Sequence, residues 1–400
     1  MGIEFTRLSI RNYRRLHHVD LELRPLNVLI GANGSGKTSI LEVMELLAGS
    51  AQGKLHDTIS ADGGLNSLLT HNSSPEMKFQ VFGLAQKELP MEYSLTLRTS
   101  GLGYEISRES LVQYIQMPNP QEPYSIDDDY AGVDPQAQII HLLANGSDIR
   151  YRSSELSALE LPTWDHHVGE TGLAQVPKQF PSPENFRRTL ASLTLYHALD
   201  VSPRAPVRLP QQMQPTDSPG RNGEDLCPYL YSLSQTHPNR YEALEDALKA
   251  AFPNFEALRF PPVATGTLSL AWKDRSFSKP FHPHQLSEGT LRFLWLASLL
   301  QSPQLPAVLI VDEPEVSLHP EMLRLLVDLL REASTRTQII VATHSDRFVR
   351  FLEPEELVVC DTDGIGRTHL QRAEGLDIQQ WLDKYSLDEL WSNGRLGGRP

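Results

Sequence analysis

The sequence predicts an α/β fold whose buried parallel strands carry a phosphate site at their carboxyl ends, and three observations predict it. First, the apolar stretch Leu26–Ile30 runs into GANGSGKT at Gly31–Thr38, after which Ile40, Leu41, Met44 and Leu47 fall at helical spacing. Second, the string AVLIVDEPE at Ala307–Glu315 ends an uninterrupted apolar strand with two carboxylates. Third, VATHS at Val341–Ser345 ends another apolar strand with a histidine.

The flanking elements follow in order. Phe5–Ile10 alternates as a strand, and Val19, Leu21 and Leu23 mark a second. The segments Lys78–Leu84, Met91–Thr99 and Tyr104–Arg108 read as antiparallel strands, with Gly101 and Gly103 supplying a turn. From Ser110 to Gln285 the texture changes: 20 of the 29 prolines lie there, which argues against long helices or a regular sheet. Two helices stand out, Asn185–Leu199 and Arg240–Ala251, so the region reads as an inserted, largely helical, proline-rich lobe. Ser287–Leu300 is apolar nearly all round, as a buried helix is, and Pro320 can start a helix over Glu321–Ala333. Ile339–Ala342 and Leu357–Cys360 complete the strands. The expected organisation is therefore 1–109 and 286–375 as two halves of one lobe, 110–285 as the insertion, and 376–400 as a tail.

Bulk properties narrow the function. The net charge of −14 argues against coating nucleic acid through the average field, although a local basic face stays possible. No apolar run reaches the roughly 18 residues of a membrane span, so no membrane association is expected. With only Cys227 and Cys360, a disulfide framework is excluded and a reducing cytoplasm fits.

The chemistry of the strings is specific. Glycines at 31, 34 and 36 let the backbone aim N–H groups at phosphate oxygens, and the following helix adds its positive end. Asn33, Gly34, Ser35, Gly36, Lys37, Thr38 and Ser39 are the candidate nucleotide-binding residues; Lys37 suits the β- and γ-phosphates, and the Thr38 hydroxyl suits Mg2+. Asp312 suits the same metal, directly or through water, and Glu313 suits polarising an attacking water. His344 can donate to the γ-phosphate and sense its loss.

The string LSEGT at Leu286–Thr290 opens a second helix, with Ser287 as its cap and Glu288 and Gly289 in its first turn. The Lys37 site already has a helix start of its own. The economical explanation is that Ser287, Glu288 and Gly289 contact the γ-phosphate held by another copy, making a homodimer with composite sites.

These strings, in this order, resemble an ABC-type ATPase head: Walker A at Gly31–Thr38, signature at Leu286–Thr290, Walker B with its glutamate at Asp312-Glu313, a D-loop near Ser317–His319, and a switch histidine at His344. The entry FTRLSIRNYRRLHHVDLELRPLNVLIGANGSGKTSILE looks like the RecF/SMC/OLD group of P-loop ATPases. That resemblance implies ATP and Mg2+ as cofactors. It implies that Asn12 and Arg14 reach the nucleotide, but it places no Q-loop glutamine: Gln80 has the right residue type and lies inside a strand pattern. No heptad run supports a coiled-coil arm, and no acidic nuclease constellation follows His344. The terminal WLDKYSLDELWSNGRLGGRP also looks like the ending of stand-alone bacterial ATPases linked to phage defence.

Two readings stay open: an ATP-dependent switch that controls a separately encoded effector protein, such as a nuclease, and a DNA-binding repair or end-recognition ATPase using Arg11, Arg14 and Arg15. A transporter motor is disfavoured by the basic entry strand. Of the remaining features, His282 and His284 read as loop residues, Asp127–Asp129 as a solvated loop, and Trp381, Tyr385, Leu387 and Trp391 as self-packing or partner-docking.

Overall fold

A computed structural model describes residues 3–71, 73–85, 89–101, 103–115, 138–152, 158–162, 164–376 and 385–396. Strands β1 (Ile3–Tyr13), β2 (Leu16–Glu22) and β3 (Leu26–Ile30) lead through the glycine loop into helix α1 (Lys37–Ala51). Helices α2 (Leu55–Ala61) and α3 (Leu65–Leu68) precede β4 (Glu76–Ala85), β5 (Met91–Ser100), β6 (Gly103–Tyr114), β7 (Gln138–Asn145), β8 (Asp148–Arg152) and β9 (Leu159–Glu160). Then come α4 (Pro181–Ala191), β10 (Thr194–Tyr196), β11 (Gln211–Gln212), α5 (Leu226–Thr236) and α6 (Pro238–Ala251). Four short strands follow: β12 (Phe255–Arg259), β13 (Pro262–Ala264), β14 (Thr267–Leu268) and β15 (Ala271–Asp274). The chain continues through α7 (Glu288–Leu300), β16 (Val308–Asp312), α8 (Pro320–Ser334), β17 (Gln338–Ala342), α9 (Asp346–Val349), β18 (Leu357–Thr362), β19 (Thr368–Arg372) and α10 (Leu387–Ser392).

The chain divides into two units. The first comprises Met1–Arg24, Gly34–Thr194 and Cys360–Leu370; the second comprises Pro25–Asn33, Leu195–Val359 and Gln371–Pro400. Unit 1 is built on an antiparallel sheet of order β2-β1-β4-β5-β6-β7-β8-β9. Alternation puts Phe5, Leu8, Ile10, Phe79, Val81, Tyr93 and Leu95 inside it, and Phe186 of α4 packs its ring 5.7 Å from Phe5 and 5.8 Å from Tyr93.

A second sheet has the order β10-β16-β17-β3-β18-β19, and in unit 2 its strands β16, β17, β3 and β18 pair in parallel, with β3 and β17 buried on both faces. Register pairs Asp312 with Ala342, Ala342 with Leu29, and Leu29 with Val358. Helices α7 and α8 present Leu291, Phe293, Leu294, Leu326, Val327 and Leu330 to one continuous core.

The proline-rich region departs from the expected single helical lobe. Its first part extends the sheet through β7 and β8, and the chain passes between units at Thr194. The prolines lie outside those two strands, so the count over the region hid a proline-free stretch at 138–152. The expected helix Asn185–Leu199 is instead α4 followed by β10. Pro181 starts it early, and the alternating burial of Leu193 and Leu195 turns the rest into a strand. The tail does not stand apart: Leu387, Leu390 and Trp391 belong to the core of unit 2, while Tyr385 is exposed. Trp381 and Asp127–Asp129 lie outside the described residues. Both cysteines are buried and unbonded, and burial pushes each thiol up to about 12. No helix among the described residues is long and apolar enough to cross a membrane.

A buried carboxyl ties unit 1 together. Glu109 accepts from the Gly172 and Leu173 N–H groups at 2.6 and 2.9 Å and from the Tyr93 hydroxyl at 2.9 Å. Burial still dominates these bonds and raises its carboxyl to about 7. A carboxyl raised in the folded state adds stability below its ordinary value, and that stability is lost as pH rises through the folded value. Denaturant titrations should therefore show stability falling by about 3 kcal/mol between pH 4.5 and pH 7 relative to Glu109→Gln, which lacks the titrating group. Parallel pH profiles for the two proteins would refute the assignment.

Candidate functional site

In unit 2, parallel pairing brings the carboxyl ends of β3, β16 and β17 to one edge. Each strand hands a predicted residue set to that edge, as open parallel sheets do for ligands. Asp312 closes β16 with its side chain 18% exposed. Glu313 follows in the left-handed region, φ +50, where its N–H donates to the Ala342 carbonyl at 2.8 Å. That turn carries the Glu313 carboxylate to His344, whose Nδ1 lies 3.0 Å from Oε1. The two residues are half exposed, so a ligand can reach them. Behind them Thr343 donates to the buried Glu315 at 2.5 Å, and burial raises the Glu315 carboxyl.

The segment Leu286–Thr290, the expected signature, is ordered by contacts within its own chain. Ser287 caps α7 by accepting from the Thr290 N–H at 3.1 Å, yet Ser287 and Glu288 remain exposed. Gly289 is demanded by a close approach: a Cβ there would lie 2.5 Å from the Ser317 carbonyl oxygen. Ser317, at φ +63, also accepts from Arg292 at 2.9 Å and donates to Glu288 at 3.4 Å. Ser317 and the turn at Ser287–Gly289 are thus one contact network.

The glycine loop straddles the division, with Gly31–Asn33 in unit 2 and Gly34 onward in unit 1. In unit 1, Gly36 at φ +103 precedes α1, and no side chain caps that helix. The Thr38 and Ser39 N–H groups of its first turn can therefore meet an anion. Ser35 Oγ is buried without a hydrogen-bond partner among the described residues, Lys37 is 9% exposed, Thr38 is exposed and Ser39 is partly so. This donor-rich set fits the polyphosphate of a nucleotide.

One expectation is redirected. Arg14 points along α1, pairing with Glu42 at 2.9 Å and Asp62 at 3.4 Å, with its guanidinium 5.6 Å from the Tyr13 ring centroid. Arg15 is instead the residue beside the loop, its Nη1 3.9 Å from where a Gly34 Cβ would stand. Asn12, its partner in that expectation, donates to the Glu76 carbonyl at 3.0 Å. Gln80 sits in mid-strand opposite Ser94, as its strand pattern predicts, buried and donating to Glu92 at 2.6 Å. His197, absent from the sequence reading, lies with Nδ1 3.6 Å from Asp312. It directly follows β10, and no motif surrounds it. His282 and His284 stack at 5.9 Å, and no metal-binding cluster of three or more His, Cys, Asp or Glu occurs among the described residues.

A glycine loop between parallel strand and helix, a carboxylate pair and a strand-end histidine define a P-loop ATPase head of the ABC type, in the RecF/SMC/OLD group. Residues 26–350 match the family described as "AAA domain, putative AbiEii toxin, Type IV TA system", and the chain belongs to that family. It is 24% identical over 411 residues to an OLD nuclease of Thermus scotoductus, covering 98% of this chain and 67% of the nuclease. It is 37% identical over 107 residues to the DNA replication and repair protein RecF of Glaesserella parasuis, covering 26% of this chain and 27% of that protein. In fold it is similar to an Smc head bound to the C-winged helix domain of ScpA, with TM-score 0.54, 12% identity, and 95% and 99% of the two chains covered.

The Gly289 contact makes a steric prediction. Gly289→Ala should cost about 1–3 kcal/mol of stability by pushing the Ser317 backbone away. It should also lower ATP turnover at least about tenfold if the signature turn acts on nucleotide. Unchanged unfolding midpoints and unchanged turnover would sink it.

Proposed function

We propose that this chain binds and hydrolyses ATP, and that two copies close head to tail on two nucleotides. The observation that carries the reading is the meeting of Glu313 with His344 at the ends of two parallel strands, beside Asp312. In this reading Asn33–Ser39 wrap the phosphates, with Lys37 supplying the cation, and Ser287, Glu288 and Gly289 approach from the partner copy. Glu313 takes a proton from the water that attacks the γ-phosphorus while the bond to the β–γ bridging oxygen breaks, releasing ADP and phosphate. His344 holds Glu313 in place and donates toward the γ-phosphate. Mg2+, held by Thr38 and Asp312, would neutralise charge developing on the phosphate oxygens.

Hydrolysis loosens the dimer, so nucleotide state becomes a conformational signal. We propose that a separately encoded effector protein receives it, with phage defence as the setting. The family description names a toxin of a TA system, and the similar Smc head has the C-winged helix domain of ScpA bound; both support a protein partner. A DNA-binding repair role is the second reading, favoured by the names of the OLD nuclease and RecF relatives. It is weakened by the net charge of −14 and by Arg14 being paired with two carboxylates.

Glu313→Gln should keep ATP affinity, lose turnover by about 100-fold or more, and accumulate as an ATP-bound dimer in light scattering. A monomer at saturating ATP would overturn the composite site. Lys37→Ala should weaken nucleotide binding itself, and unaltered affinity would remove the glycine-loop assignment.

A further inference from the structure

We infer that Thr368, the first residue of β19, is a positioning residue of the phosphate site, acting through the glycine loop. The inference rests on the nucleotide reading above. Thr368 is 1% exposed, and its hydroxyl donates to the Ser35 carbonyl at 2.9 Å across 333 residues of sequence. A Cβ on Gly36 would lie 2.6 Å from Thr368 Oγ1, 3.2 Å from its Cγ2 and 3.0 Å from Leu16 Cδ2. The loop is therefore pressed against this threonine as well as bonded to it. The Thr368 N–H also donates to the Arg15 carbonyl at 3.3 Å, so one residue holds both the glycine loop and the turn that carries Arg15 past Gly34.

Planarity turns this clamp into a device for aiming a donor. The Ser35 carbonyl and the Gly36 N–H belong to one trans peptide unit and point in opposite directions. Fixing the carbonyl toward Thr368 fixes the N–H away from it, on the loop's other side. Gly36, at φ +103, has no side chain to restrict its rotation, so without an external bond this peptide plane is free to swing. A donated hydrogen bond to the carbonyl also polarises the amide, which strengthens its N–H as a donor to an anion. Neither effect touches the reacting atoms. Thr368 should thus set how tightly nucleotide is held and leave the chemical step alone.

The test compares Thr368→Val, which keeps the branched shape and loses the donor, with Thr368→Ser, which keeps the donor. Thr368→Ala, which loses the donor without crowding the loop, decides the matter should Thr368→Val fail to fold. Mg·ATP and Mg·ADP binding would be measured by calorimetry on the full chain, with KM and kcat for ATP turnover. Thr368→Val and Thr368→Ala should bind about tenfold more weakly, the loss falling on KM with kcat within about twofold, and Thr368→Ser should stay within about twofold of wild type. Wild-type affinity in the folded donor-less variants, or an equal loss in Thr368→Ser, would overturn the inference. Lys37→Ala, run beside them, separates the two levels. If it alone loses binding, only the role of Thr368 falls; if it binds as wild type does, the glycine-loop reading falls and takes this one with it.

Discussion

The register of the buried parallel strands β16, β17, β3 and β18 is the constraint on which the rest of unit 2 depends. Because Asp312 lies opposite Ala342 and Ala342 opposite Leu29, the turns after these strands begin at one level. A slip of one residue would reverse which face every side chain occupies and separate Glu313 from His344. The strands are apolar on both faces, so hydrophobic burial alone would fix their register weakly. Asn27 supplies the missing specificity. It is fully buried in β3, its amide donates to the Ile339 carbonyl at 3.4 Å, and its oxygen accepts from Arg372 at 2.7 Å. Any other register would strand that polar group in the core, at a cost of about 1–3 kcal/mol.

Above that edge the backbone is held in conformations it would not choose. Glu313 and Ser317 both have positive φ without being glycine, at a cost of order 1 kcal/mol or more each. Such strain persists only where neighbours over-determine it. Here the Ala342 carbonyl holds the Glu313 N–H, and Arg292 and Glu288 hold the Ser317 hydroxyl. The buried Glu315–Thr343 pair then joins the turn after β16 to the turn after β17. Movement of His344 is in this way tied to the segment carrying Ser317, and Ser317 touches Gly289. A change at the strand ends has a continuous physical route to the signature turn.

Much of this was legible in the sequence because it is local. Leu26–Ile30 carries its own apolar run, the glycine loop its own spacing, and Asp312-Glu313 ends its own strand. What was illegible depends on contacts distant in sequence. Nothing near Arg14 and Arg15 says which of the two turns toward Glu42, since that carboxylate arrives from one face of α1. Gln80 was legible as a strand residue, but its pairing with Glu92 is a cross-strand fact. Thr368 and His197 sit in no motif at all, and each acquires meaning only from the loop or strand end placed against it. Trp391 joins the core because α10 packs onto α9, a docking that periodicity in a short helix cannot announce.

The two helix starts differ in a way that bears on how a dimer would assemble. No side chain at the N-cap of α1 occupies the Thr38 and Ser39 N–H groups, which therefore gain from an anion. Helix α7 is already satisfied in part: Ser287 accepts from the Thr290 N–H, and its hydroxyl is 2.7 Å from that of Thr290. A phosphate arriving at α7 must compete with a cap worth about 1 kcal/mol, whereas one arriving at α1 displaces no such bond. In the dimer we propose, nucleotide therefore loads on the Lys37 side of each chain first, and the partner's Ser287 end engages a phosphate that is already positioned. The weaker second contact is the one that can be broken when the γ-phosphate leaves, which is what a reversible switch requires.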